Sequence, residues 1–409
     1  MLGNTGKKIF ALGLTVMIIL SALTSGFITT QADGNETDMK YSMQDGMVIF
    51  EPKAEQIEML MENVGANGKL RIEIAEKPEA DDMKEIVSGV FKMDLKKLLS
   101  GKGIREVTFA FHGMEACFRI QSIEKLSLMA EKIQIKLTSG SMTFALNDAD
   151  GKPVPYYDYE TPVVVSMQYT PPQDINTNYL VLYDDRGAEE PKHLIPRSWY
   201  ADGAVHAKIY AAGQFDVQNM GEGGFEDMSA HWAKTAVDYT TAHGVTTGVG
   251  QGIYQPEETV TRMEYVTMLM RTLDIEPQGA WMPAPFADQA DIPEWAVRQA
   301  LIARILGMSV SDENDNFNPN QPVKRQEMFL LGYEALGICN LLPPMYTAQW
   351  IVYSDWDGVS PEASSAIQNL SKLLLVKGNG DGTLKPTHSV TRAEAAQFIY
   401  GMLQYDIDR

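Results

Sequence analysis

The chain is poor in cysteine, in histidine clusters and in basic runs, and each scarcity removes a class of function. Only two cysteines, Cys117 and Cys339, occur in 409 residues, far apart. That excludes a disulfide framework, and without a Cys-x-x-Cys pair or grouped histidines there is no zinc pattern. The formal net charge is -20 and no long basic stretch exists. Nucleic acid is therefore excluded as a partner, as is general attraction to an anionic surface, so any recognition of an anion has to be local. One apolar run stands out, Ile9 to Leu23, after Lys7-Lys8 and before Thr30-Gln31-Ala32. It is short for a spanning helix and has the layout of a secretory signal peptide over residues 1–32. No Cys follows it, so a lipid anchor is not indicated. After cleavage no membrane attachment is expected.

What the chain does have is a repeat. Val260-Thr261-Arg262-Met263-Glu264, Val323-Lys324-Arg325-Gln326-Glu327 and Val390-Thr391-Arg392-Ala393-Glu394 recur at spacings of 63 and 67 positions. Thr followed three residues on by Glu, ahead of an apolar run, predicts a capping box. Thr261 with Glu264 and Thr391 with Glu394 are thus expected helix caps. Lys324 leaves the second box half formed. The Arg falls at the first helical position, where the dipole disfavours a cation. Two explanations stand side by side. Arg262, Arg325 and Arg392 can grip a bound anion together with free helix-start amides. Alternatively, each pairs with an acidic side chain of a neighbouring repeat.

Around these motifs the rest of each repeat can be traced. An aromatic-x-Asp opens it, at Phe225-Glu226-Asp227, Phe286-Ala287-Asp288 and Tyr353-Ser354-Asp355. A helix follows with Trp232-Ala233 in the first repeat and Trp295-Ala296 in the second, while Glu362-Ala363 stands at that place in the third. Glycine loops come next, marked by Gly248, Gly307 and Gly378. Tyr254-Gln255-Pro256, Phe317-Asn318-Pro319 and Leu384-Lys385-Pro386 then lead into the capped helix. Gly248 to Gly252 lacks the spacing and the βαβ setting of a phosphate loop. Asp312 to Asn316 lacks the Gly and the bidentate Glu of a calcium loop. Both read as turns.

Residues 33–46 read as a polar leader. Residues 47–217 hold short alternating runs, such as Leu70 to Ile74, Glu106 to Phe111, Ile133 to Leu137 and Ser141 to Leu146, punctuated by Gly, Pro and Asp. This predicts antiparallel strands in a sandwich-like domain, with short helices near Met93 to Leu99 and Ile123 to Lys132. No nucleophile–base spacing, metal set or cofactor motif is legible there, so no catalytic residue is assigned and no enzyme is expected. Residues 218–224, with Gly221-Glu222-Gly223-Gly224, read as a flexible linker.

The set of motifs from aromatic-x-Asp to Thr-Arg-Ala-Glu resembles three tandem S-layer homology domains, at residues 225–275, 286–338 and 353–409. The resemblance implies a multidomain α+β chain, the β-rich domain being followed by an all-α pseudo-threefold bundle of three repeats. It implies non-covalent binding to a pyruvylated secondary cell wall polysaccharide, on a Gram-positive-type cell surface. Arg262, Arg325 and Arg392 would contact the ketal carboxylate, Trp232 and Trp295 a sugar face, and Gly248, Gly307 and Gly378 would let the backbone approach the glycan. The altered second motif and the missing third Trp predict two competent grooves or fewer. The β-rich domain would face outward toward a possible protein partner. A surface hydrolase, or a lattice-forming or adhesive protein, could use the same anchor.

Overall fold

The structure is a computed structural model. It describes residues 47–62, 64, 67–74, 88–101, 103–138, 140–154, 158, 160–185, 193–275, 283–343 and 351–407. Ahead of these it describes only the strand runs Met17–Ile19 (β1), Gly26–Ala32 (β2) and Asn35–Gln44 (β3). The rest of the expected signal peptide lies outside the described residues. The expected polar leader contains β3, which pairs antiparallel with Met47–Phe50 (β4).

The chain divides into two compact units. The first comprises residues 1–170, 182–193 and 201–217. Its helices are Ala54–Glu62 (α1), Leu95–Leu99 (α2) and Ile120–Met129 (α3). Its further strands begin with Lys69–Ile74 (β5), Ser88–Asp94 (β6), Glu106–Phe111 (β7), Met114–Arg119 (β8), Lys132–Thr138 (β9), Ser141–Asn147 (β10) and Val163–Gln168 (β11). Leu180–Asp184 (β12), His193–Leu194 (β13), Ala204–Ile209 (β15) and Gly213–Asn219 (β16) complete the set, while Ser198–Ala201 (β14) falls mostly in the second unit. One sheet runs β1-β2-β3-β4-β6-β9-β10-β16-β12, and a second runs β15-β11-β8-β7-β5.

Alternation in the sequence correctly marks the strands: β5, β9 and β10 bury every second residue. Phe50, Phe91, Phe109, Phe118 and Phe144 form a chain of ring contacts, with centroids 5.3 to 6.4 Å apart, at the centre of the core. The expected antiparallel sandwich is nevertheless corrected. Both sheets are mixed, because β4 pairs parallel with β6 and β5 parallel with β7. Parallel neighbours need crossover connections, and here α1 with β5, and β6 with α2, lie between the paired strands. Periodicity reports which face of a strand is buried and not the direction of its partner. The two expected helices occur as α2 and α3, while α1 was not legible.

The second unit comprises residues 171–181, 194–200 and 218–409. Its helices are Lys234–Ala242 (α4), Arg262–Leu273 (α5), Glu294–Ile305 (α6), Arg325–Ile338 (α7), Pro361–Lys372 (α8) and Arg392–Ile407 (α9). The first helix of each repeat packs on the second helix of another: α4 on α9, α6 on α5, α8 on α7. The expectation of an all-α pseudo-threefold bundle is corrected. The helices are unequal, from 9 to 16 residues, and short β-bridges link the repeats at Thr259 with Thr391, Thr261 with Pro322 and Lys324 with Ser389. Two segments from within the expected β-rich domain also belong here. His243, fully buried, faces the carbonyls of Pro196 and Asn178 at 2.8 and 3.1 Å. Buried Arg197 donates to Asp406 and to the Cys339 sulfur. The expected flexible linker is held too: Gly223 N donates to Asp238, and Lys234 pairs with Glu222.

Candidate functional site: three grooves over the repeat seams

The recurring motif builds the joints between repeats. Val260 N donates to Val390 O, Val390 N to Val323 O, and Val323 N to Val260 O, at 2.9 to 3.0 Å. A closed ring of backbone bonds results, and all three valines are fully buried. The helix after each valine is capped as expected. Thr261 Oγ1 accepts from Glu264 N while Glu264 accepts from Thr261 N; Thr391 and Glu394 do the same. In the second repeat an ammonium cannot accept, so only the return half exists, Lys324 N to Glu327 at 2.9 Å.

The other oxygen of each capping carboxylate receives the Arg of the preceding repeat. Arg262 pairs with Glu327 at 3.1 Å, Arg325 with Glu394 at 3.0 Å and Arg392 with Glu264 at 3.7 Å. The Nε groups donate to Phe317 O, Leu384 O and Tyr254 O, each at 2.9 Å. Arg262 and Arg392 place a further N–H on Val310 O and Thr247 O. All three guanidinium side chains are buried, at 7 to 8% exposure.

The opening Asp of each repeat completes the joint. Asp227 accepts from the amides of Tyr254 and Gln255, Asp288 from Phe317 and Asn318, and Asp355 from Leu384 and Lys385. Gln255, Asn318 and Lys385 have positive φ, 55 to 60°, a conformation side chains resist without such support. The helix-start amides are not free either. Arg262 N and Met263 N donate to Gln321 O and Pro319 O; the other two motifs donate equivalently, to His388 and Pro386 and to Glu258 and Pro256. Of the two explanations for the Arg, the structure delivers the pairing with a neighbouring repeat. The unpaired helix-start receptor for an anion is absent from these three sites because turn carbonyls fill it.

A groove nonetheless lies over each seam, with volumes of about 440, 400 and 280 Å³. The Arg325 groove is lined by Trp232, Lys377, Gly378 and Glu394. Trp295, Gly248, Glu264 and Arg271 line the Arg392 groove. In the Arg262 groove, Glu362 takes the place of Trp, and Ser311, Asp312, Lys324 and Glu327 complete the wall. Trp232 and Trp295 are 61 and 52% exposed, so they are groove walls and not core residues. The charge balance differs between grooves. The Arg262 groove has two cations against three carboxylates, and the others have two cations against one. Asp312 is held to about 2 by hydrogen bonds from the amide of Asn316 and the side chain of Asn318, and Glu362 is held low by backbone and Ser360 hydrogen bonds, so both stay anionic.

Gly248 and Gly378 line grooves, and the space beside them is limited. A Cβ at Gly248 would meet the Phe225 ring at 2.4 Å, and one at Gly378 the Tyr353 ring at 2.8 Å. Gly307 is corrected: it follows α6 in the left-handed conformation, with φ 77°, and donates to Arg304 O as a helix terminator. Ser311, four residues on, takes the groove position. The spacing from Gly244 to Gly248 carried that signal, since Leu374 to Gly378 repeats it. Sequence reasoning also missed the seam carboxylate Glu327 as an Arg partner, and Glu362 and Arg271 as groove residues.

A family model for the S-layer homology domain matches residues 224–266, 285–329 and 352–396. Among curated relatives, an amylopullulanase of Thermoanaerobacterium thermosulfurigenes is 28% identical over 49% of this chain and 10% of its own length. The exoglucanase XynX of Acetivibrio thermocellus is 26% identical over 44% of the chain and 16% of itself. An S-layer protein of Bacillus licheniformis is 28% identical over 43% of the chain and 19% of itself. The chain thus spans only a tenth to a fifth of these relatives. It carries three S-layer homology domains, which bind cell wall polysaccharide in general and imply association with the cell wall at the cell surface. Among the described residues no helix is long and apolar enough to cross a membrane.

Proposed function

We infer that this protein is held non-covalently on the wall of a Gram-positive-type cell by its S-layer homology domains, with the first unit displayed outward. The ligand is a secondary cell wall polysaccharide bearing pyruvate ketals. The Arg325 and Arg392 grooves hold it, and the Arg262 groove does not. What supports the reading is the pairing, in those two grooves alone, of an exposed Trp with an excess of positive charge. A flat apolar ring covers a pyranose face, and local cations attract a carboxylate despite the net charge of -20. Full-length protein should sediment with purified wall sacculi and be released when the polymer is extracted. Equal sedimentation with stripped walls would refute the anchor.

The second reading, a hydrolase on the same anchor, has one observation in its favour. Ser166 Oγ lies 2.7 Å from His206 Nδ1. The two residues are a directly opposed cross-strand pair on β11 and β15, and the other ring nitrogen lies 3.1 Å from Ala201 O. We read this as a sheet contact and the unit as non-catalytic. Neither the wild type nor Ser166→Ala should release sugars or peptides from wall preparations; serine-dependent release would favour the enzyme. Ordered arrays of the full chain in electron micrographs would favour a lattice-forming protein.

A further inference from the structure

If the motif arginines are committed to the seams, the acid of the ligand needs another cation. Arg271 supplies one. It lies on α5, seven residues after Glu264 and therefore on the same helix face, two turns further along. That face lines the Arg392 groove, together with Trp295 and Gly248. Arg271 is exposed, and among the described residues it makes no hydrogen bond or ion pair. Burial of part of its side chain is the sole influence moving its pKa, downward, with no carboxylate acting on it. Unlike Arg392, whose Nε and one Nη are held by carbonyls, its guanidinium can turn its whole fork to a ligand.

The equivalent helix positions show that this is specific to one groove. Over the Arg262 seam the matching residue is Glu334, an anion that accepts from Ser309 N and Oγ at 2.9 and 2.6 Å. Over the Arg325 seam it is Gly401, which offers no side chain, and the groove's accessible cation is Lys377 on the opposite loop. A guanidinium can hold a carboxylate with two parallel N–H···O bonds, whereas an ammonium acts as a point charge.

We propose that Arg271 is the specificity-determining residue of the Arg392 groove, binding the ketal carboxylate of the polysaccharide while Trp295 covers the sugar ring, and that Arg392 only positions the groove. This rests on the polysaccharide reading above. The test is calorimetric titration of the full-length protein with a short, ketal-bearing oligosaccharide cut from the polymer, and with the same oligosaccharide after mild acid has removed the ketal. The wild type should show two ketal-dependent sites. Arg271→Gln should lose one of them, its affinity falling by about tenfold or more, as expected for a charge-assisted pair. Arg271→Lys should recover part of that loss. The melting temperature should not move, because the side chain is exposed. If Arg271→Gln keeps both sites while the wild type distinguishes the two sugars, the assignment of Arg271 is wrong and the wall reading survives. If the wild type binds both oligosaccharides equally, or neither, the pyruvate reading fails and Arg271 falls with it.

Discussion

The seams and the grooves of the second unit share the motif Arg and Glu but are otherwise built on different rules. The seams use what recurs: Val, Arg and Glu of the motif and the opening Asp, tied into buried, mutually satisfied bonds. The grooves add what varies, with Trp232, Trp295 or Glu362 on one wall and Arg271 or Gly401 on the helix behind two of them. Periodic residues assemble the repeats, and under the proposed function the aperiodic ones decide which groove can take an acid. This reverses the most direct reading of a repeated Arg, which is to assign recurrence to the ligand.

The largest test of that contrast is Arg325→Ala. It removes a buried cation bonded to Leu384 O and paired with Glu394, so it should destabilise the protein by about 3 kcal/mol in denaturant titration. A change of polymer affinity without loss of stability would return the arginines to the binding site. A smaller effect is expected from Asp288→Ala, which leaves the amides of Phe317 and Asn318 without an acceptor at a residue of positive φ, costing about 1–3 kcal/mol. Lys324→Thr should work in the other direction. It completes the second capping box and should add about 1 kcal/mol, with the melting temperature rising accordingly.

The extent of the second unit has a pH signature. Burial lowers the pKa of His243 from 6.5 to about 4. The unfolded chain therefore takes up a proton that the folded one refuses. Stability is at its full value above 6.5 and declines as the pH falls toward about 4. His243→Gln should flatten the stability profile in that window; an unchanged slope would mean that the histidine is not enclosed by the segments 171–181 and 194–200.

Much of this was legible in the sequence where the signal is local. The capping boxes follow from Thr and Glu three residues apart, and the strands of the first unit from alternation. The grooves' two tryptophans were identified, although only the structure shows them exposed. Non-local features were not legible. Nothing in the spacing of Val48 or Leu70 announces a parallel partner. Nothing near Arg197 points to Asp406, more than two hundred positions away. Gly307, expected from the family resemblance to approach the glycan, instead terminates α6 at positive φ, as Gly244 does after α4. The boundary at residue 217 coincides with the end of the first unit, but texture gave no sign that the fold draws two earlier segments, 171–181 and 194–200, into the second unit.

Under the proposed function, recurrence serves assembly and the groove walls serve recognition. The most direct measurement is the affinity of a Trp232→Ala/Trp295→Ala double variant for pyruvylated wall polymer, with its melting temperature recorded on the same sample. The prediction is an affinity reduced by about tenfold or more, from the loss of about 1 kcal/mol of ring contact at each site, at an unchanged melting temperature. Wild-type affinity in that variant would contradict the claim.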